Sequence, residues 1–131
     1  MPTPVLPDVE ALLGSFLRNH PELTPIHQGR VATRLSGTYP AIRVSLIAVR
    51  PTQILGEYLP ELQVECFADD QGVASLLARK ASAAMADVIG AYPEGAVRGH
   101  DLVFGPFWSP DATTQRPRYL FDVLLLAYPN P

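Results

Sequence analysis

Cysteine, histidine, glycine-rich loops and runs of one charge are what this sequence has least of, and each shortage removes a class of function. A single cysteine, Cys66, permits neither an intrachain disulfide nor a thiolate metal cage. It lies in the strand-like run LQVECF without a neighbouring His or Lys to lower its pKa, so it reads as a buried structural thiol and not as a nucleophile. The three histidines, His20, His27 and His100, fall in three separate connections and form no HExxH-type pair, which argues against a metal or an imidazole-based site. They read as surface residues or as partners for helix-terminal carbonyls. Phosphate loops of the GxGxxG or GxxxxGK[ST] type do not occur, and no serine occupies a GxSxG elbow.

Charge and hydropathy exclude further classes. Ten Lys and Arg against 13 Asp and Glu give a net charge of −3, with no basic stretch to hold a phosphate backbone, so sequence-specific nucleic-acid binding is disfavoured. No apolar run approaches the roughly 20 residues that a membrane span requires. The opening MPTPVLPDVE has neither the basic nor the apolar region of a secretion signal, so the expectation is cytosolic synthesis with no membrane and no cofactor.

What remains is material for one domain spanning residues 1–131. Hydrophobic residues make up 47% of the chain, enough for a packed core at this length. Charged residues make up 18%, below the usual quarter or so, which leaves surface for neighbours. Met1 to Pro7 carries three prolines and should be an extended lead-in, ordered only against a partner. Asp8 caps a helix to about His20, with Val9, Leu12, Leu13, Phe16 and Leu17 at helical spacing and Pro21 as the stop. Val31, Thr33 and Leu35 alternate as a first strand. After a Ser36-Gly37 turn, Ile42 to Val49 forms a second, whose far end has both faces apolar. Pro51 to Pro60 reads as a mobile loop, and Leu62 to Phe67 as a short strand with Gln63 and Glu65 on its wetter face.

Asp69-Asp70 opens the most legible helix, over residues 70–89. The two carboxylates fit helix capping better than acid/base chemistry. Its stripe is Val73, Leu77, Ala81, Ala84 and Val88, many alanines allow close approach to a sheet, and Gly90 ends it. Strands over Ala96–Val97 and Leu102–Phe107, a loop from Ser109 to Pro117, and a long strand from Arg118 to Tyr128 complete the chain as a hairpin. Both faces of the last strand are largely apolar, which fits either a covered central strand or one covered only on oligomerisation. The fold expected is α+β: a mixed or antiparallel sheet packed on two α-helices, with a β-hairpin near the C-terminus.

No catalytic constellation emerges, so the chain reads as a non-enzyme. The most informative features outside the core surround the hairpin: Trp108, Arg116, Arg118 and Tyr119. Trp, Tyr and Arg are enriched in interface hot spots because they bury large area while keeping polar handles. A Trp packed under its own loop is the plainer alternative.

The segments LPELQVECFADDQGVASLLARKASAAMADVIG and GPFWSPDATTQRPRYLFDVLLLAYP resemble the strand, acid-capped helix and closing hairpin of tail terminator proteins of long-tailed bacteriophages. The order of elements resembles that family over nearly the whole chain. The resemblance implies a subunit of a ring, hexameric in that family, at the head-proximal end of the tail tube. Such a ring stops tube polymerisation, offers a surface to head-tail connector proteins, and belongs to the virion after assembly in the host cytoplasm. It also implies that the loops from Arg50 to Pro60 and from Ser109 to Pro117 meet neighbouring subunits or the tail tube protein, with Arg50, Tyr58, Trp108, Asp111, Arg116 and Arg118 as candidates. Another neck, head-completion or tube component fits the same design, and so does a small ligand-binding or regulatory α+β domain.

Overall fold

A computed structural model describes residues 3–131. Met1 and Pro2 of the expected lead-in lie outside the described residues. Helix α1 (Val9–Asn19) is followed by the single-turn α2 (Thr24–His27), β1 (Val31–Ala32), β2 (Ala41–Arg50), β3 (Leu59–Phe67), α3 (Gln71–Ala84), β4 (Gly90–Ala91), β5 (Ala96–Trp108) and β6 (Arg118–Tyr128). The strands form one six-stranded sheet in the order β1-β2-β3-β6-β5-β4. The β1–β2 pair is parallel and the others are antiparallel, so the fold is α+β with a mixed sheet and a β5–β6 hairpin.

Both long helices lie on one face of the sheet, α1 over β1 and β2, α3 over β3, β6 and β5. That face is built by the alternation of β-strand side chains. Ile42 and Val44 of β2, Leu62 and Val64 of β3, and Phe121, Val123 and Leu125 of β6 are all buried against Leu12, Leu13 and Leu17 of α1 and Leu77, Ala78 and Ala81 of α3. Cys66 belongs to the same layer, where burial pushes its thiol pKa up. Asp8 and Asp70 cap the two helices, accepting from the Ala11 and Val73 amides. These side chains satisfy donors that the first turn leaves free.

Several boundaries differ from the sequence reading. The first strand is only Val31–Ala32, because the chain leaves the sheet at Thr33. Helix α3 ends at Ala84 and tightens into a 3-10 turn over Met85–Asp87. Its buried stripe runs through Ala74, Leu77, Ala78, Ala81 and Ala84, with Val73 only half-buried. Gly90 opens β4 and does not end the helix. Strand β3 begins at Leu59, and β5 is one continuous strand with bulges where two separate pieces were expected. Glu65, placed on the wetter face, is 3% exposed.

Two local anchors bear on the edges of the sheet. The β2 strand bulges between Leu46 and Ala48, and the Leu46 amide there donates to the Glu10 carboxylate of α1 at 2.8 Å. Pro7 is buried at the β4–β5 turn, where a Cβ on Gly95 would lie 2.9 Å from the Pro7 ring and 2.7 Å from the Tyr128 carbonyl. The end of the lead-in at Pro7 therefore packs on this chain's own turn.

Candidate functional site

The six candidate residues separate into two groups at opposite ends of the sheet. Strand pairing sets Arg118 opposite Phe67 and Trp108 opposite Tyr119 at one end. At the other, Arg50 stands opposite Leu59 and Tyr58 bridges to Ala127. Eight residues of β3 separate the ends, roughly 26 Å of extended chain.

At the hairpin end, Glu65 is the buried focus. Arg43 donates to it in bidentate fashion, from Nε and Nη2 at 2.8 Å each. Arg118 adds a third charged bond from Nη1 at 2.8 Å, and also holds the loop through Nε to the Ser109 carbonyl at 2.7 Å. The carboxylate thus ties β2, β3 and β6 together, and it holds the Arg43 pKa above its ordinary value. Arg116 stacks on Tyr39, 3.9 Å from the ring centre, and pairs with Asp69. Asp111 accepts from the Thr114 hydroxyl at 2.8 Å and the Thr113 amide at 3.2 Å. These bonds, the hydroxyl foremost, hold its carboxyl below the usual range. They fold the loop between the strands of the hairpin into a defined turn. Of this group, only Trp108 presents much apolar surface. It is 42% exposed, its ring 5.3 Å from Tyr119.

The apolar surface continues along the free edge of β5, where Leu102, Val103, Phe104 and Phe107 are all exposed. Phe104 stands opposite Asp122 and Phe107 opposite Leu120, so three steps of β5 match two of β6. That bulge brings both rings to one side, with centroids 5.5 Å apart. Gly105 makes it possible. Its φ is +87°, and a Cβ there would lie 2.6 Å from the Leu120 carbonyl.

At the opposite end, the β2–β3 loop forms a concavity of about 480 Å³ lined by Val49, Pro51, Ile54, Leu55, Gly56 and Tyr58. The loop expected to be mobile is pinned. Glu57 accepts from the Thr52 hydroxyl at 3.0 Å and the Tyr128 hydroxyl at 2.6 Å. Tyr58 exchanges two backbone bonds of 2.9 Å with Ala127, and Pro4 packs on Gly56. Arg50, at the rim, pairs with Glu61 at 2.8 Å. Ile54 and Leu55 project into solvent, Leu55 85% exposed.

Two buried polar groups lie outside both ends. Asp122 of β6 is 3% exposed, and its Oδ1 has no hydrogen-bond partner. Burial first, and then the nearby Glu61 carboxyl, raise its pKa to about 6. His27 is fully buried, with Nε2 2.9 Å from the Leu17 carbonyl and Nδ1 accepting from the Gly29 amide at 2.9 Å. That pattern fixes the neutral tautomer with the proton on Nε2, and burial lowers its pKa. His20 pairs with Asp87 at 2.9 Å, and His100 lies exposed within β5 and not in a connection. Among the described residues no three His, Cys, Asp or Glu side chains are grouped as metal ligands, and no helix is long and apolar enough to cross a membrane.

Sequence reasoning found the hairpin cluster through its Trp and Arg residues. It missed Glu65, for which the signal was an acidic residue between the buried Val64 and Cys66. It also missed the continuous β5 edge, because it broke the strand between Val97 and Leu102, where Gly99 sits at a bulge. No protein-family model matches the chain, and no curated protein matches it.

Proposed function

We propose that this chain is a structural subunit that assembles with copies of itself into a ring of the tail terminator type. It would act at the head-proximal end of a phage tail tube through protein contacts and without a reaction of its own. The observation that supports this is the pair of unlike apolar surfaces, an aromatic one on the β5 edge and an aliphatic one around residues 49–58, far apart on one sheet. Monomers rarely leave such surfaces uncovered. Two different patches per subunit are what heterologous, ring-forming association uses. The resemblance of residues 60–129 to tail terminators supplies the biological setting: the tail tube protein and head-tail connector proteins as partners, and the virion neck as location.

The charged groups support a contact role over a catalytic one. Arg43, Arg118 and Glu65 spend their hydrogen bonds on one another and on the hairpin, Asp111 bonds within its loop and Arg116 pairs with Asp69, and together they shape a rigid end to the sheet. The deciding experiment is light scattering of the purified protein across concentration, with and without isolated tail tubes. A hexamer, or a monomer that forms rings on tubes, is the expected result. A monomer or dimer that never associates with tubes overturns the reading.

A further inference from the structure

We propose that the Phe104–Phe107 knob of one copy seats in the cup formed by residues 49–58 of a second copy, so that subunits join head to tail. This deepens the ring reading and rests on it. The two surfaces are complementary in shape and chemistry. The knob is a pair of rings raised on the free edge of β5 by the Gly105 bulge. The cup is concave, its apolar side chains Val49, Pro51, Ile54 and Leu55 set beside Arg50, Thr52, Gln53 and Glu57, and its volume of about 480 Å³ is within the range that encloses drug-sized ligands, some 300 to 1,000 Å³.

The charged groups around the cup are already paired inside the loop. Glu57 is bound by Thr52 and Tyr128, and Arg50 by Glu61. An incoming group meets apolar side chains and no unpaired charge, which favours an aromatic ring over a charged ligand. Because those same bonds pin the loop, docking costs little ordering entropy. Phe104 and Phe107, opposite Asp122 and Leu120, share one face of the sheet, and each is 42% exposed. With about 150–250 Å² for a whole aromatic side chain, the two rings offer roughly 130–210 Å². Beside the near 800 Å² per partner of a standard interface this is a small contact, which fits association that appears only as concentration rises. The knob lies on β5, level with Gln63 to Glu65 of β3, and the cup lies beyond Leu59 at the β2–β3 turn, so a neighbour seated in one leaves the other free for the next copy.

Light scattering of two single-surface variants and of their mixture tests this. Phe107→Asp spoils the knob and Leu55→Asp spoils the cup. Both positions are exposed, so circular dichroism and Tm should match the wild type. Phe104→Asp and Ile54→Asp repeat the pair if either first variant loses its fold. The wild type is expected to associate as concentration rises, and each variant alone to remain monomeric. An equimolar mixture should give one-to-one dimers that grow no further, because that dimer carries a spoiled knob at one end and a spoiled cup at the other. A wild type that stays monomeric throughout, variants that associate as the wild type does, or a mixture that stays monomeric each overturn the contact. A ring that depends on knob and cup but ignores tail tubes keeps the contact and overturns the tail reading. Tube-bound rings that survive both variants do the reverse.

Discussion

Arg118 reaches back across 53 residues of sequence to place its Nη1 2.8 Å from the buried carboxylate of Glu65. With Arg43 on the other side, this makes Glu65 the only acid among the described residues that serves two guanidinium groups, both partly shielded. Removing it leaves both cations without their partner. Breaking a buried pair costs about 3–5 kcal/mol, and less where the cations retain access to water. Glu65→Ala should therefore lower unfolding free energy by about 2–3 kcal/mol in urea titration. A loss under about 0.5 kcal/mol would show that the network is ornamental to stability.

Asp122 should make the protein less stable as pH rises through the weakly acidic range. Its carboxyl ionises near the usual 3.8 when unfolded but at about 6 when folded. The folded state thus holds the proton more tightly, and that advantage is present below 3.8 and lost by about 6. Asp122→Asn, which cannot ionise, should be more stable than the wild type by about 1–3 kcal/mol at pH 7.5 and show little difference at pH 4. Equal effects at both pH values would point to packing and not to the proton.

His27 works in the opposite direction. Its folded pKa is lowered, so the neutral ring favours the fold above the unfolded value of 6.5, and this stability drains away as pH falls below it. His27→Leu should abolish that component of the acid sensitivity. It should also cost about 1–3 kcal/mol at neutral pH, because the Leu17 carbonyl and Gly29 amide lose their partner. Thermal melts of the variant and wild type from pH 7.5 to 5 measure both effects. Parallel curves would remove His27 from the account.

Gly105→Ala should damage the hairpin more than an ordinary surface substitution does. The backbone there has positive φ, and a Cβ would collide with the Leu120 carbonyl. A loss of about 2 kcal/mol or more is expected. Hydrogen exchange should localise the loosening to β5 and β6. Protection unchanged at Leu120 to Asp122 would contradict it.

The parts of this fold that were legible in the sequence are those governed by one period and one cap. Asp8 with α1, Asp70 with α3, and the alternation of β6 from Tyr119 to Ala127 all describe local physics, and the structure keeps them. Elements fixed by tertiary contact were not legible. A first strand starting at Val31 was read from its alternation, but its stop at Ala32 and its parallel pairing with Ile42 and Arg43 of β2 are announced by no local pattern. Strand β5 absorbs Gly99 through a bulge against β6, where the sequence reading placed an interruption between Val97 and Leu102. Glu65 illustrates the same limit at the candidate site: alternation put it on the open face, but only the fold shows Arg43 and Arg118 closing over it.

The bond from the Leu46 amide to Glu10 takes on another meaning for a chain that carries so much uncovered apolar surface. An amide withdrawn at a bulge is one that an incoming strand of another molecule finds already engaged. Growth by strand templating, the route to fibres, meets a blunted edge there, while contacts made by side chains remain open. Copies that meet at this end of β2 would have to join by side chains and not by adding strand to strand.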